Sequence, residues 1–284
     1  MKVAVLGSGA WGTALGCVAA RGGADVVMWS FAGDAADFCD PRIKITRDMA
    51  DLAGSDVVLV VTPAAFFHET TAQFARVYDG APVIICTKGA DPKTGRFMSE
   101  ILAETMPTCR DFGVLSGPQF AAEVANRVPT ASTLAGTERA ITAGRAALPE
   151  LHLVASRDII GTQICGVGKN AVALISGYNS VAAAGENERA MIFTFAWNEV
   201  VDLGMAMGAE MRTFLGLCGI GDLFLSATSM TSRNFAGGAA IARGQPPAGT
   251  VEGIYALDGL LARAGRMNIA TPTLYEMAKK MKLK

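Results

Sequence analysis

The sequence predicts an α/β chain in two parts, a doubly wound parallel sheet over residues 1–155 and an all-helical domain over residues 156–284. Three observations carry that expectation. Short apolar runs alternate with helical patterns through the first half, as in a sheet built from βαβ units. A glycine-rich turn joins the first strand to the first helix. Beyond about residue 155 the strand signals stop, and apolar stretches of helical length take over.

The elements follow in chain order. "KVAVL" (2–6) is an apolar strand, and residues 10–21 form a helix. Between them Gly7-Ser8-Gly9-Ala10-Trp11-Gly12 fits G-x-G-x-x-G in the context that gives this motif weight, after a strand and opening a helix. Gly7 permits the tight turn, Gly9 lets backbone approach a pyrophosphate, and Gly12 lets the helix lie close on the strand. The helix N-terminus then offers unpaired N–H groups to the anion, so residues 7–12 are candidate contacts for NAD or NADP. The strand "DVVMW" (25–29) ends where the adenine ribose of such a cofactor belongs. An acid there favours NAD and an arginine favours NADP, yet the chain offers Ser30, Phe31, Ala32 and Gly33. Asp34 and Arg42 are within reach to supply one signal or the other, and the preference stays open.

A short helix at 48–53 precedes the strand "DVVLVV" (56–61) and a helix beginning after Pro63. "PVIICT" (82–87) is a strand ending at Lys88-Gly89, followed by a helix in "TGRFMSEILAETM". "FGVLSGP" gives another strand, leading into a helix at about 119–126. "TASTLAG", a helix at about 137–147 and "LHLVAS" complete the sheet. Ligands to doubly wound sheets sit at the carboxyl ends of the strands, which puts Lys88, Ser116 and Gly117 at the presumed site. The plainer alternative for Lys88 is a solvated loop lysine.

The second part opens with "SRDIIGTQICGVGKNAVALISGYNSVAAAG", which starts at Ser156 or Asp158 as a helix cap and runs on as an apolar helix. "ERAMIFTFAWNEVVDLGMAMG" is a further helix whose methionines and aromatics read as core. "GLCGIGDLFLSATSMTSRNFAGG" mixes glycines with one acid, Asp222, and the polar run Ser232-Arg233-Asn234. "QPPAGTVEG" is a loop, and "TPTLYEMAKKMKLK" closes the chain with a helix. Lys169, with Asn170 beside it, is the anomaly. Its helical neighbours at i±3 and i±4 are Cys165, Gly166, Val172 and Ala173, so no local carboxylate offsets its charge. An ammonium in apolar surroundings is costly unless a partner arrives from elsewhere or the proton leaves.

Composition narrows the function. Net charge is −1 and charged residues make up 18% of the 284, so no basic surface points to nucleic acid. Hydrophobic residues reach 51%, yet no apolar run reads as long enough for a membrane span. "MKVAVLGSG" lacks a signal-peptide pattern and reads as the mature start of a soluble, cytoplasmic protein. The six cysteines (17, 39, 86, 109, 165 and 218) show no CxxC spacing and are expected as reduced thiols. With only His68 and His152 present, a metal site built on histidines is not expected.

"GSGAWGTAL", "TKGADPKTGRF", "LSGPQFAAEV", "GVGKN", "GIGDL", "SRN" and "VEG" together resemble the successive motifs of bacterial NAD(P)-dependent glycerol-3-phosphate dehydrogenases, in that family's order and over nearly the whole chain. The resemblance implies a Rossmann domain joined to an all-helical substrate domain, NAD or NADP as cofactor and a homodimer. The implied reaction interconverts dihydroxyacetone phosphate and sn-glycerol 3-phosphate for phospholipid synthesis. By position it makes Lys169 the proton donor and acceptor, and a desolvated lysine exchanges its proton more readily near neutral pH. A purely structural Lys169, snorkelling outward or paired internally, is the plainer alternative. Lys88 takes the place of a lysine that contacts substrate and nicotinamide, and Asp222 that of an acid lining the substrate pocket. Ser232, Arg233 and Asn234 match a segment touching both substrate and cofactor, though such a run is as readily a helix cap. Gly117 and Gln119 fall at substrate positions, Ala121 at a cofactor position, and Val251 and Glu252 on a cofactor-side loop.

The chain also departs from the family pattern. Gln119 stands where a small hydroxyl residue is usual, and Phe195 where the family carries an arginine. The segment between Trp29 and the strand at 56 is shorter than in most relatives, and the C-terminus stops early. Two rivals remain: another dehydrogenase on this scaffold, of the β-hydroxyacid or ketopantoate-reductase type, and a non-catalytic NAD(P)-binding protein. The first needs a carboxylate anchor, and the second has no physical need of Lys88, Lys169 and Asp222.

Overall fold

A computed structural model describes residues 1–283, in two compact units. The first comprises Met1–Lys88 and Met98–Ile159, the second Gly89–Phe97 together with the chain from Ile160 on.

The first unit is built on an eight-stranded sheet. Its strands are β1 (Lys2–Leu6), β2 (Asp25–Trp29), β3 (Lys44–Thr46), β4 (Val57–Val60), β5 (Val83–Ile85), β6 (Phe112–Ser116), β7 (Ala131–Gly136) and β8 (His152–Ser156). They lie in the order β3-β2-β1-β4-β5-β6-β7-β8, and the first six follow the doubly wound order that reverses direction beside β1. Five α-helices belong to this unit, α1 (Ala10–Arg21), α2 (Ala64–Phe74), α3 (Met98–Thr105), α4 (Ala121–Ala125) and α5 (Glu138–Ala147), and the short helix expected at 48–53 is a single 3₁₀ turn, Met49–Leu52.

The period of two in each strand sorts its side chains onto two cores. Val3 and Val5 face the layer of Ala14, Leu15 and Val18 on α1, whereas Ala4 and Leu6 face Phe67, Phe74, Met98 and Leu102 on α2 and α3. Because helices cover both faces, β4 is buried at all four positions, and its continuous Val-Val-Leu-Val run is the result.

The sheet is not wholly parallel as the sequence led us to expect. β7 runs antiparallel to β6. A parallel return needs a crossover that carries the chain back the length of a strand. The connection here holds only the five-residue α4, about 7.5 Å at 1.5 Å per residue, against about 17 Å for a five-residue strand. β8 then pairs parallel with β7 through α5. The short edge strand β3 was also unexpected: three residues with a lysine in front carry almost no strand signal.

Apart from the Gly89–Phe97 segment, whose ends meet in a bridge between Ala90 and Phe97, the regular structure of the second unit is helical. It contains α6 (Ile159–Ala182), α7 (Glu186–Ala206), α8 (Met211–Phe214), α9 (Asp222–Ala227), α10 (Arg233–Ala242), α11 (Glu252–Met267) and α12 (Pro272–Lys280). Among the described residues α6 is the one helix long and apolar enough to cross a membrane, which corrects the reading that no such stretch exists; 78% of that window is buried inside the protein. A helix apolar on all sides is a core helix when its neighbours cover it. Glycines let them come close: a Cβ on Gly177 would lie 1.9 Å from Phe235 O, and one on Gly238 2.0 Å from Leu174 O, so α6 and α10 meet backbone to backbone.

The methionine- and aromatic-rich α7 is only half core. Ile192, Ala196, Val200 and Leu203 are buried, while Met191, Phe195 and Met205 are exposed. Its buried Glu199 accepts from Thr273 N at 2.6 Å and Leu274 N at 2.9 Å, placing a carboxylate on the positive end of α12.

Candidate active site

Two groups of residues stand out, one in each unit. In the first unit the chain leaves β1 and doubles back into α1. Gly7 holds φ at +116°, and a Cβ on Gly12 would lie 2.0 Å from Gly7 O, so neither position admits a side chain. A Cβ on Gly9 would have no neighbour within 4 Å, and no side chain caps α1. The first amides of a 12-residue helix therefore open onto free space at its positive end. Ala10 is exposed there. Ser8 is turned inward: its Oγ donates to Ser30 Oγ at 2.8 Å, and its carbonyl accepts from Thr13 Oγ1 at 3.0 Å.

Trp11 Nε1 and Thr62 Oγ1 are buried without a hydrogen-bond partner. Buried polar groups are nearly always paired, and orphans beside an open helix end fit a ligand that brings the missing acceptors and donors. The cradle and the orphans together suit a dinucleotide pyrophosphate. Thr62, just past β4, was not singled out from the sequence.

Further along the same edge, Lys88 Nζ donates to Gly117 O at 2.9 Å, which fixes a half-buried ammonium at the end of β6 and disposes of the solvated-loop alternative. Gly117 is required by packing, since a Cβ there would meet Ser132 Oγ at 2.4 Å. Gln119 follows two residues later and Ala121 opens α4. Both amide atoms of Gln119 are buried with no partner, and Ser116 Oγ is likewise orphaned. An unpaired buried polar group costs about 1–3 kcal/mol. Gln119→Met, similar in volume and without the amide, is expected to raise the Tm of the ligand-free protein by about 2–4 °C, read by differential scanning fluorimetry. A lower Tm would mean that the amide stabilises the fold.

In the second unit Lys169 lies midway along α6, and its partner does arrive from elsewhere. Lys169 Nζ stands 3.1 Å from Asp222 Oδ1 and donates to Ser226 Oγ at 2.9 Å, and Ser226 Oγ sits 3.3 Å from the same carboxylate oxygen. The Lys169 side chain is 11% exposed and that of Asp222 is fully buried. A π-turn over Leu217–Gly221 sets Asp222 as the first residue of α9; within it Gly219 (φ −88°, ψ −106°) breaks the helix. That puts the carboxylate on the positive end of α9 and Ser226 one turn further on the same face. The carboxylate favours the ammonium form against the burial that disfavours it. Ser226 was missed from the sequence, though Asp222-x-x-x-Ser226 is a spacing that places both on one helix face.

The "SRN" run divides by role. Ser232 caps α10, its Oγ accepting from Phe235 N at 3.4 Å, and Arg233 is exposed in the first turn. Asn234 is tied into the scaffold: its Nδ2 donates to Asn170 Oδ1 at 2.8 Å, and its Oδ1 accepts from Gly253 N at 2.8 Å. This buried link joins α6, α10 and α11 beside Lys169 and fixes the Asn170 amide, another residue given no role from the sequence. Val251 packs its side chain into the apolar core of this unit. Glu252, the first residue of α11, is partly buried, and burial pushes its carboxyl up while the charge of Arg233 pulls the other way. The structure thus brings together Lys169 and Asp222, and the neighbourhood of Asn234, Val251 and Glu252; Lys88, Gly117, Gln119 and residues 7–12 line one edge of the other unit.

Family models for the NAD-dependent glycerol-3-phosphate dehydrogenase N-terminus and C-terminus match residues 2–142 and 158–282. The chain belongs to that family. Its relatives include the glycerol-3-phosphate dehydrogenase (NAD(P)+) of a Bradyrhizobium species, 37% identical, with 97% of this chain and 90% of the relative covered. Among solved structures, glycerol-3-phosphate dehydrogenase from Coxiella burnetii superposes with a TM-score of 0.90 at 29% identity, covering 99% of this chain and 94% of the other. A ketopantoate reductase from Ralstonia eutropha reaches a TM-score of 0.66 at 15% identity over 100% of this chain and 98% of the other, a likeness of fold alone.

Proposed function

We propose that the chain is an NAD(P)-dependent sn-glycerol-3-phosphate dehydrogenase that interconverts dihydroxyacetone phosphate and sn-glycerol 3-phosphate, feeding phospholipid synthesis. The observation that carries this reading is the buried Lys169–Asp222–Ser226 cluster, in a family member whose other unit ends in a dinucleotide cradle. A nicotinamide dinucleotide held at the residue 7–12 cradle would supply the hydride for reduction and accept it in oxidation.

The remaining work falls to the chain's own side chains. Lys169 gives its proton to the oxygen that becomes an alkoxide on reduction, and takes one back on oxidation. Asp222 and Ser226 hold the Nζ atom in place, since both lie within hydrogen-bond distance of it. Lys88, tethered to Gly117 O, provides a second cation to polarise a carbonyl or orient a phosphate. The exposed Arg233 fork suits phosphate oxygens. Gln119 offers an unpaired amide to the substrate.

A homodimer in the cytoplasm is part of the same proposal. Leu215 and Phe224 of the helical unit are 70% and 69% exposed, apolar side chains of the kind that a second copy would cover. All six cysteines are free thiols, as a reducing compartment requires.

The deciding assay follows loss of NADH, and separately NADPH, with dihydroxyacetone phosphate as the oxidant. Rapid oxidation is expected. No oxidation with either cofactor, while both still bind, would overturn the substrate assignment and turn attention to Gln119 and Phe195.

A further inference from the structure

The end of β2, where the sequence leaves NAD and NADP open, is disposed unequally in the folded chain. Ser30 is buried, and its Oγ already accepts from Gly33 N at 3.0 Å, Asp34 N at 3.1 Å and Ser8 Oγ at 2.8 Å. A hydroxyl has two lone pairs, so none remains to accept from a ribose hydroxyl. Arg42, the cation in sequence reach, is engaged elsewhere. Its guanidinium grips the Asp40 carboxylate at 2.6 and 2.9 Å, and these bonds hold the Asp40 carboxyl down to about 2.

Arg47 comes from a direction the sequence did not suggest. β2 and β3 pair Trp29 with Thr46, so the next residue of β3 leaves the sheet level with Ser30. Two bonds pin that exit: Ser30 N donates to Thr46 O at 2.9 Å, and Trp29 Nε1 donates to Arg47 O at 3.2 Å. The Arg47 stem lies against the turn after β2, since a Cβ on Gly33 would stand 3.2 Å from Arg47 Cδ. Among the described residues its guanidinium has neither a hydrogen-bond partner nor an ion-pair partner. Phe31, 82% exposed in the same turn, presents a bare aromatic face. Asp34 is the competing acid, but Gly33 at φ +88° turns the chain before it, and Asp34 is exposed beyond that turn.

We propose that Arg47 and Phe31 read the adenosine end of the cofactor, with the Arg47 guanidinium taking the 2′-phosphate, so that this enzyme selects NADP(H) over NAD(H). The inference rests on the dinucleotide reading above and deepens it. Arginine's fork suits two phosphate oxygens, and a stem already packed on Gly33 leaves less side-chain freedom to lose on binding. The exposed ring gives the adenine a stacking surface, which favours neither cofactor over the other.

Equilibrium titration of the intact protein tests this without turnover, using NADPH, NADH, adenosine 2′,5′-bisphosphate and ADP. Wild type is expected to bind NADPH at least about ten-fold more tightly than NADH, and the bisphosphate more tightly than ADP. Arg47→Ala should cost about ten-fold or more for NADPH and the bisphosphate and leave NADH unchanged, while Phe31→Ala weakens all four. Arg47 is exposed, and an unchanged Tm would show the variant to be folded. Equal affinity of wild type for NADPH and NADH would overturn the proposal. So would a silent Arg47→Ala beside an Asp34→Ala that selectively weakens NADH. Failure of both dinucleotides to bind would instead overturn the cofactor reading on which it rests.

Discussion

Lys169→Ala is expected to lower kcat for dihydroxyacetone phosphate reduction by about 10²-fold or more, with dinucleotide affinity retained. Positioned acid–base groups contribute about 10²–10⁴-fold, and in the Lys169–Asp222–Ser226 cluster the lysine is the group with a proton to give. Lys169→Arg sharpens the test. It preserves the positive charge beside Asp222, but a guanidinium keeps its proton throughout the accessible pH range. If Lys169 served only to attract an anionic substrate, the arginine would restore much of the rate. If it delivers the proton, Lys169→Arg stays as slow as Lys169→Ala, and a small primary amine such as methylamine restores part of the alanine variant's rate. Steady-state kinetics with and without the amine distinguish the two.

The sheet was legible from the sequence because its central strands are covered on both faces. Val57–Val60 has no polar position to interrupt it, and the same holds for Val3–Leu6. What the sequence did not carry was the edge. Lys44–Thr46 forms a strand because β2 offers it a hydrogen-bonding partner, and its own three residues say little. The reversal at β7 lay outside periodicity as well, since direction depends on how far α4 can carry the chain. The membrane-like hydropathy of α6 was missed for the opposite reason: Lys169, Asn170 and four glycines break the apolar pattern to the eye, while an 18-residue window of the helix still reaches the membrane range.

The candidate site divides along the same line. Residues 7–12 were readable because a local turn, needing glycine at set offsets, makes that part of the cradle. The surroundings of Lys169 were not, because Ser226 lies 57 positions along the chain and comes near only through the packing of α9. Asn234 shows the limit of motif reading. A polar residue in "SRN" looks ready for a ligand, but its amide is committed to Asn170 and Gly253 and holds three helices in place. Arg47 shows the converse, a functional candidate with no motif, brought to the end of β2 solely by strand register.

Asp222→Ala is expected to destabilise the protein by about 3–5 kcal/mol, because it leaves the Lys169 ammonium largely buried without its counter-charge. Lys169→Met should also destabilise, leaving a fully buried carboxylate with the Ser226 hydroxyl beside it but no cation from α6. The combined variant Lys169→Met with Asp222→Leu removes both charges at once. Its cost is expected to fall well below the sum of the single changes, with a coupling of about 0.5–3 kcal/mol from denaturant unfolding of the four proteins. Additive costs would instead mean that the two groups do not stabilise each other. Kinetics on the same four proteins separate stability from chemistry, since the apolar pair has no proton to give and stays inactive however well it folds. A buried ion pair often does no better for stability than a well-packed apolar pair. A double variant as stable as wild type but without activity would therefore show that Lys169 and Asp222 are retained for the reaction, and that the fold alone has no need of them.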